Sequence, residues 1–200
     1  CIRDRRFTLY NRIVLPDQIW VTDHYALTLA RHTFPSTQIL LKDNHYLKQV
    51  ISQFQSRSSE SRLPSPSRRV LYIAENIDEH TQINCLKYGY DERQAFLYFY
   101  TNRACLCPTE MQHIRVRPHP SHCPNSLDWM YEIDPSIDLS SPDESLIDDI
   151  LWSDIVVGME SMGLIVALHA NKKVVSAVPP YGLPCRLPHK NLIHLSAIVK

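Results

Sequence analysis

The segment Ser153–Pro180, SDIVVGMESMGLIVALHANKKVVSAVPP, restricts the possible folds of this chain more than any other. Asp154–Met159 and Lys173–Val178 are apolar runs too short for helices, and both read as strands buried on two faces. Glu160–Asn171 between them supplies helix formers. Asn171 is suited to leave that helix in a left-handed conformation, and Lys172 and Lys173 follow where a helix C-terminus favours cations. Strand, helix and strand in this order make a parallel crossover. In such sheets ligands gather at the carboxyl ends of strands, beside helix N-termini. Gly158, Met159, Glu160 and Ser161 therefore stand at a candidate ligand edge. The alternative is a buried crossover with no ligand, since such units occur on many unrelated folds.

Ahead of this segment the same alternation recurs. Asp17–Thr22 reads as a strand, and Asp23 stands where an N-cap would open a helix over Tyr25–His32. A second short strand, Gln38–Lys42, leads to an amphipathic helix over His45–Phe54 with Tyr46, Leu47, Val50, Ile51 and Phe54 on one face. Gln55–Arg68 is rich in Ser, Arg and Pro and has little to bury, so residues 56–68 read as an exposed linker. Arg69–Ala74 is a strand ending at Glu75 and Asn76, and Tyr90–Arg103 is a helix. Ile114–Arg117 is a strand running into Pro118-His119-Pro120. Ser141, Pro142 and Glu144 carry the pattern of a capping box for a helix burying Leu146, Ile147, Ile150 and Leu151. Asn191–Ser196 is a last strand. The expected fold class is α/β: a doubly wound, Rossmann-like parallel sheet over residues 69–200, preceded by a short α/β portion over residues 1–55.

Composition narrows the function classes. Two hundred residues suffice for one well-buried domain, or for one domain plus part of a second. Lys plus Arg equals Asp plus Glu at 21 each, so no global field attracts nucleic acid. No apolar run is long enough for a transmembrane segment, and the expected location is cytoplasmic; peripheral association with a membrane stays compatible with this. The chain opens on Cys1 rather than Met and reads as a fragment of a longer protein. The six Cys show no framework spacing and read as reduced. With four Gly and none of the Gly-rich signatures, dinucleotide, P-loop and α/β-hydrolase chemistries are disfavoured.

The strand and helix around Gly158 resemble the donor-binding half of GT-B glycosyltransferases, through Glu160, Ser161, Leu164, Ala167, Leu168, Lys172 and Val174. Many such enzymes hold the donor ribose with a second Glu on this helix. The register here puts Val166 or Ala167 at that place, which leaves Glu160 or Glu75 for ribose or base. Arg117-Pro118-His119-Pro120 resembles the His-Pro motif of bacterial sialyltransferases and related capsule-type enzymes, and Ser161 is the nearest match to their later Ser/Thr motif. The resemblance implies a GT-B carboxyl-terminal-type domain, a CMP- or UDP-type nucleotide sugar donor, a glycan acceptor, and transfer without a metal or other cofactor. It implies that His119 assists the departing phosphate and that Glu75, Asn76, Arg117, Gly158, Glu160 and Ser161 bind the donor. The family's acidic Asp/Glu-Asp/Glu-Gly motif is not found, and Asp91-Glu92 lacks its Gly.

Each of these residues has a plainer reading. Asp23 is a candidate general base facing an acceptor, or an N-cap and nothing more. His119 between two prolines makes a rigid surface turn in any case, and Arg115 and Arg117 share a strand face that a solvated edge would explain. Cys105, Cys107, His119, His122 and Cys123 have the ligand types of a zinc site, but with spacing that fits no standard pattern. The rival from another class is a non-catalytic module that binds a nucleotide or a partner without turnover.

Overall fold

The computed structural model describes residues 8–9, 12–13, 15–57, 68–77, 88–106, 112–141 and 143–199. The chain divides into two compact units, Cys1–Gln49 and Val50–Lys200. The first holds an antiparallel pair, β1 (Thr8–Leu9) with β2 (Arg12–Ile13), and a parallel pair, β3 (Gln18–Val21) with β4 (Gln38–Leu41), joined through helix α1 (His24–Thr33). Val21, Ala30, Phe34 and Ile39 form its core. Helix α2 (His45–Arg57) buries Val50 and Phe54, and runs three residues beyond its expected end. Of the expected linker, residues 58–67 lie outside the described residues.

The second unit is built on a six-stranded, wholly parallel sheet. Its strands are β5 (Arg68–Ile73), β6 (Gln112–Arg117), β7 (Asp138–Leu139), β8 (Ile155–Gly158), β9 (Lys173–Ser176) and β10 (Ile193–His194), in the order β10-β9-β8-β5-β6-β7. The chain starts at the centre, winds outward through β6 and β7, then returns to the other side of β5 and winds outward again. This is the doubly wound order of Rossmann folds, and the direction reverses between β5 and β8. The α/β parallel sheet read from the sequence is the one observed. Strands β8 and β9 are shorter than expected, ending at Gly158 and Ser176, while β6 starts two residues earlier, at Gln112.

Alternation along the strands sorts their side chains into two layers. Val70, Tyr72 and Ala74 of the β5 segment join Ile114, Val116, Ile155, Val157 and Val175 in one core. Helix α3 (Glu92–Asn102) adds Phe96 and Phe99, and the five-residue helix α4 (Trp129–Ile133) adds Met130. The rings of Tyr72, Phe96 and Phe99 pack within 6 Å of one another, at 5.0, 5.5 and 5.9 Å between centroids. On the opposite layer lie helices α5 (Leu146–Trp152) and α6 (Met162–His169), with fully buried Ile150 and Leu164. Gly163 brings α6 close to β5: a Cβ there would stand 2.7 Å from Ile73 Cδ1.

Helix α6 is shorter than the expected Glu160–Asn171, starting after Ser161 rather than at Glu160, and the cap of one other helix is corrected. Asp91 and Gln94 cap α3 reciprocally, each side chain taking the other's backbone N–H. Asn171 has φ +55°, and the Lys172 and Asn171 N–H groups donate to the Ala167 and Leu168 carbonyls in a Schellman arrangement. Lys172 Nζ serves the C-terminal end of a different helix, α5, donating to Ser153 O at 2.6 Å and Leu151 O at 3.4 Å. The correction concerns the start of α5. Ser145, not Ser141, is its N-cap, accepting from the Asp148 N–H at 3.1 Å, because the Glu144 carbonyl is taken by Arg117 Nη1 at 3.0 Å. Ser141 instead opens a turn closed by the Glu144 N–H. Ser145→Ala is therefore expected to cost about 1 kcal/mol in chemical denaturation and Ser141→Ala only a few tenths. Equal losses would contradict this assignment.

Candidate functional site

The reversal of winding between β5 and β8 opens a crevice at the carboxyl ends of these strands. Three loops meet at this edge, since β8, β5 and β6 are neighbours: Met159–Ser161 after β8, Ala74–Ile77 after β5, and Pro118–His122 after β6. The sequence-derived candidates Glu75, Asn76, His119, Gly158, Glu160 and Ser161 all fall here. Gly158 is required by close approach, as a Cβ would stand 3.0 Å from the Ile73 carbonyl oxygen and 3.2 Å from Leu164.

Glu75 is the centre of the arrangement. Its carboxylate reaches across the crevice and accepts the Glu160 N–H at 2.6 Å, while the Met159 and Ser161 N–H groups also favour its ionised form. Tyr90 and Cys185, which belong to a small apolar cluster with Met159 and Val178, are close enough to feel its charge. Burial pushes the Glu75 carboxyl up to about 7, and the Glu160 charge pushes the same way against the three N–H groups. Beneath it lies Glu92, fully buried in the first turn of α3. Glu92 accepts the Glu75 N–H at 2.7 Å and the Tyr72 hydroxyl at 3.1 Å. Burial, reinforced by that carboxylate, raises the Tyr72 hydroxyl well above the usual phenol range.

Glu160 points the other way. Its carboxylate holds Arg186, accepting from Nη2, from Nε at 3.3 Å and from the backbone N–H at 3.1 Å. This ties the Pro-rich segment after β9 to the crevice. The same segment closes on Tyr90 at Gly182, where a Cβ would stand 2.3 Å from the ring. Ser161 is the N-cap residue of α6 by position, yet its hydroxyl makes no capping bond, and Oγ is buried without a hydrogen-bond partner.

The β5 and β6 loops are joined by Asn76, whose side-chain amide donates to Ser121 O at 2.9 Å and Oγ at 3.1 Å. His119 is exposed. Its Nδ1 accepts the Ser121 N–H at 3.2 Å and lies 2.7 Å from Ser121 Oγ, so hydrogen-bond geometry assigns the ring proton to Nε2, free to donate outward. His122 Nδ1 accepts the His119 N–H at 2.8 Å, which locks the turn.

Two candidates are engaged elsewhere. Arg117 turns to the α5 layer and donates to fully buried Asp149 at 2.6 Å, which also accepts from Ser140 at 3.0 Å and Arg115 at 3.4 Å. Asp23 belongs to the first unit, where it caps α1 by accepting the Ala26 N–H at 2.7 Å. Of the zinc-type constellation, Cys107 lies outside the described residues. Among the described residues no group of three or more His, Cys, Asp or Glu is placed to hold a metal, and no helix is long and apolar enough to cross a membrane.

Sequence reasoning missed Glu92, Tyr90 and Arg186. The pair Asp91-Glu92 was visible, but only the three-dimensional position of α3 separates a capping Asp91 from a buried Glu92. Arg186 had no signal, being one cation in an irregular segment. A separate polar cleft of about 300 Å³, lined by Arg69, His113, Arg115, Asp138 and Trp152, lies toward the amino ends of the strands. Its Arg115 is committed to Asp138 at 2.7 Å and stacks 4.4 Å from the Trp152 ring centroid.

No protein-family model matches the chain, and no curated protein sequence matches it. Among solved structures it is similar to Thermosulfurimonas dismutans KpsC, beta Kdo 2,4 transferase, at 12% identity and TM-score 0.47, covering 78% of this chain and 50% of that one. A second is Thermosulfurimonas dismutans KpsC, beta Kdo 2,7 transferase, at 18% identity and TM-score 0.43, covering 76% and 46%. The chain thus spans about half the length of the structures it matches.

Proposed function

We propose that residues 69–200 form the nucleotide-sugar-binding half of a GT-B-type glycosyltransferase that transfers a sugar from a CMP- or UDP-type donor to a glycan acceptor without a metal. The observation that carries this reading is the convergence of the loops after β8, β5 and β6 on one crevice, which brings Glu75, Asn76, His119, Glu160 and Ser161 to a single edge. At that edge His119 Nε2 donates to the departing phosphate, and Asn76 holds the turn that aims it. Glu160, oriented by Arg186, contacts ribose or base. Arg117 is held by Asp149 on the α5 layer, and Asp23 is left to its helix.

The test is calorimetry with CMP, UDP and their sugars, with and without a chelator. His119→Ala is expected to weaken nucleotide binding about tenfold, the low end for a charge-assisted hydrogen bond at an exposed position, while leaving the melting temperature unchanged. His122→Ala should do less. If nothing binds at millimolar concentration, the glycosyltransferase reading fails. One observation favours the non-catalytic alternative: both acidic side chains at the crevice are already engaged, Glu75 by loop N–H groups and Glu160 by Arg186. Nucleotide binding without turnover on any acceptor would select that reading.

A further inference from the structure

The successive N–H groups of Met159, Glu160 and Ser161 lie in the loop that leads from β8 into α6, an arrangement that attracts an anion, and in this protein a carboxylate from the loop after β5 already fills the position. Beside them the Ser161 oxygen is buried and has no hydrogen-bond partner, although its own N-cap position would ordinarily supply one. The loop is thus equipped for one more acceptor than Glu75 provides. We propose that Glu75 is an internal stand-in for a ligand's phosphate, and that a phosphate-bearing nucleotide takes its place at these N–H groups with the uptake of one proton by Glu75.

This rests on the nucleotide-binding reading above and adds to it the position of the phosphate and a linked proton. The charge balance requires the proton. The ionisable groups facing Glu75 are Glu92 from α3, Tyr72 from β5, Tyr90 ahead of α3, Glu160 from the β8–α6 loop and Cys185 from the segment after β9. None of these is a cation, and Arg186 is held by Glu160. A phosphate entering beside an ionised Glu75 would leave two anions competing for one set of donors, whereas a protonated Glu75 turns from competitor to hydrogen-bond donor. Because the carboxyl sits at about 7, the required form is abundant in mildly acidic solution and scarce in mildly alkaline solution.

The experiment is calorimetric titration with CMP and with UDP near pH 6 and near pH 8, each in two buffers of different ionisation enthalpy, for the native chain and for Glu75→Gln. The native chain is expected to bind about tenfold more weakly at the higher pH relative to Glu75→Gln, which also cancels titration of the nucleotide itself. At the higher pH it should take up about one proton per nucleotide bound, an observation that needs no variant. Binding by Glu75→Gln alone would also support the proposal. Nucleotide binding without proton uptake, and with the same pH dependence in both proteins, overturns the stand-in while leaving the functional reading in place. Absence of binding in both proteins at both pH values overturns the functional reading, and this proposal with it.

Discussion

Arg117→Met is expected to destabilise the Val50–Lys200 unit by about 3 kcal/mol, seen as a lower urea midpoint at unchanged slope. Asp149 is fully buried beneath the sheet and depends on Arg117 at 2.6 Å for its closest cation. Arg115 lies further away at 3.4 Å and is drawn toward Asp138 at 2.7 Å. Removing Arg117 leaves a carboxylate in a low-dielectric layer with incomplete compensation, and frees the Glu144 carbonyl that fixes where α5 begins. Adding Asp149→Leu to that variant should recover much of the loss, because deleting both charges costs less than stranding one. A loss below about 1 kcal/mol would mean that Arg115 and Ser140 suffice to hold Asp149.

Glu75→Gln is expected to stabilise the protein by about 2 kcal/mol at pH 8 and to have little effect near pH 4. The Glu75 carboxyl lies at about 7 in the folded chain against an ordinary value of 4.5. The folded state therefore binds more protons than the unfolded state between these values, and stability falls as pH rises through that window. Above it the folded chain carries the full cost of a buried charge. At about 1.4 kcal/mol per pH unit the shift corresponds to roughly 3 kcal/mol, which partial exposure reduces. The difference in melting temperature between the native chain and the variant, followed across pH, isolates this group from others. A difference that does not change with pH would show that Glu75 titrates as an ordinary carboxyl.

The parallel sheet was legible because its strands are written as apolar runs. VLYI, IVVG and KVVS admit no half-exposed reading, and helical spacing separates them. Two-residue β7 and five-residue α4 were not legible, since neither is long enough to show a period. The start of α5 was misread because Ser141 and Ser145 both head acceptable capping patterns, and the choice between them is made by Arg117, a distant strand residue claiming the Glu144 carbonyl. The site divides in the same way. Candidates placed by strand ends, such as Glu75, His119 and Glu160, were found where expected. Which of them are already engaged depends on partners remote in sequence: Glu75 with the loop 85 positions later, and Glu160 with Arg186.

The outer strands of the six-stranded sheet, β7 and β10, are two residues long, while β5 and β6 at its centre and on one flank have six. An unpaired strand is a template on which another chain can extend the sheet, and its danger grows with the length of register it offers. Two residues offer almost none, so crowding copies of this unit together should not zip them edge to edge. Among the described residues of the first unit, β3 and β4 make a sheet of only two strands, each four residues long with one side unpaired, and Trp20 and Leu41 are exposed. If concentrated solutions of the chain cloud or gel, self-association is expected to begin at residues 18–41, and charged substitutions on β3 or β4 would be the remedy.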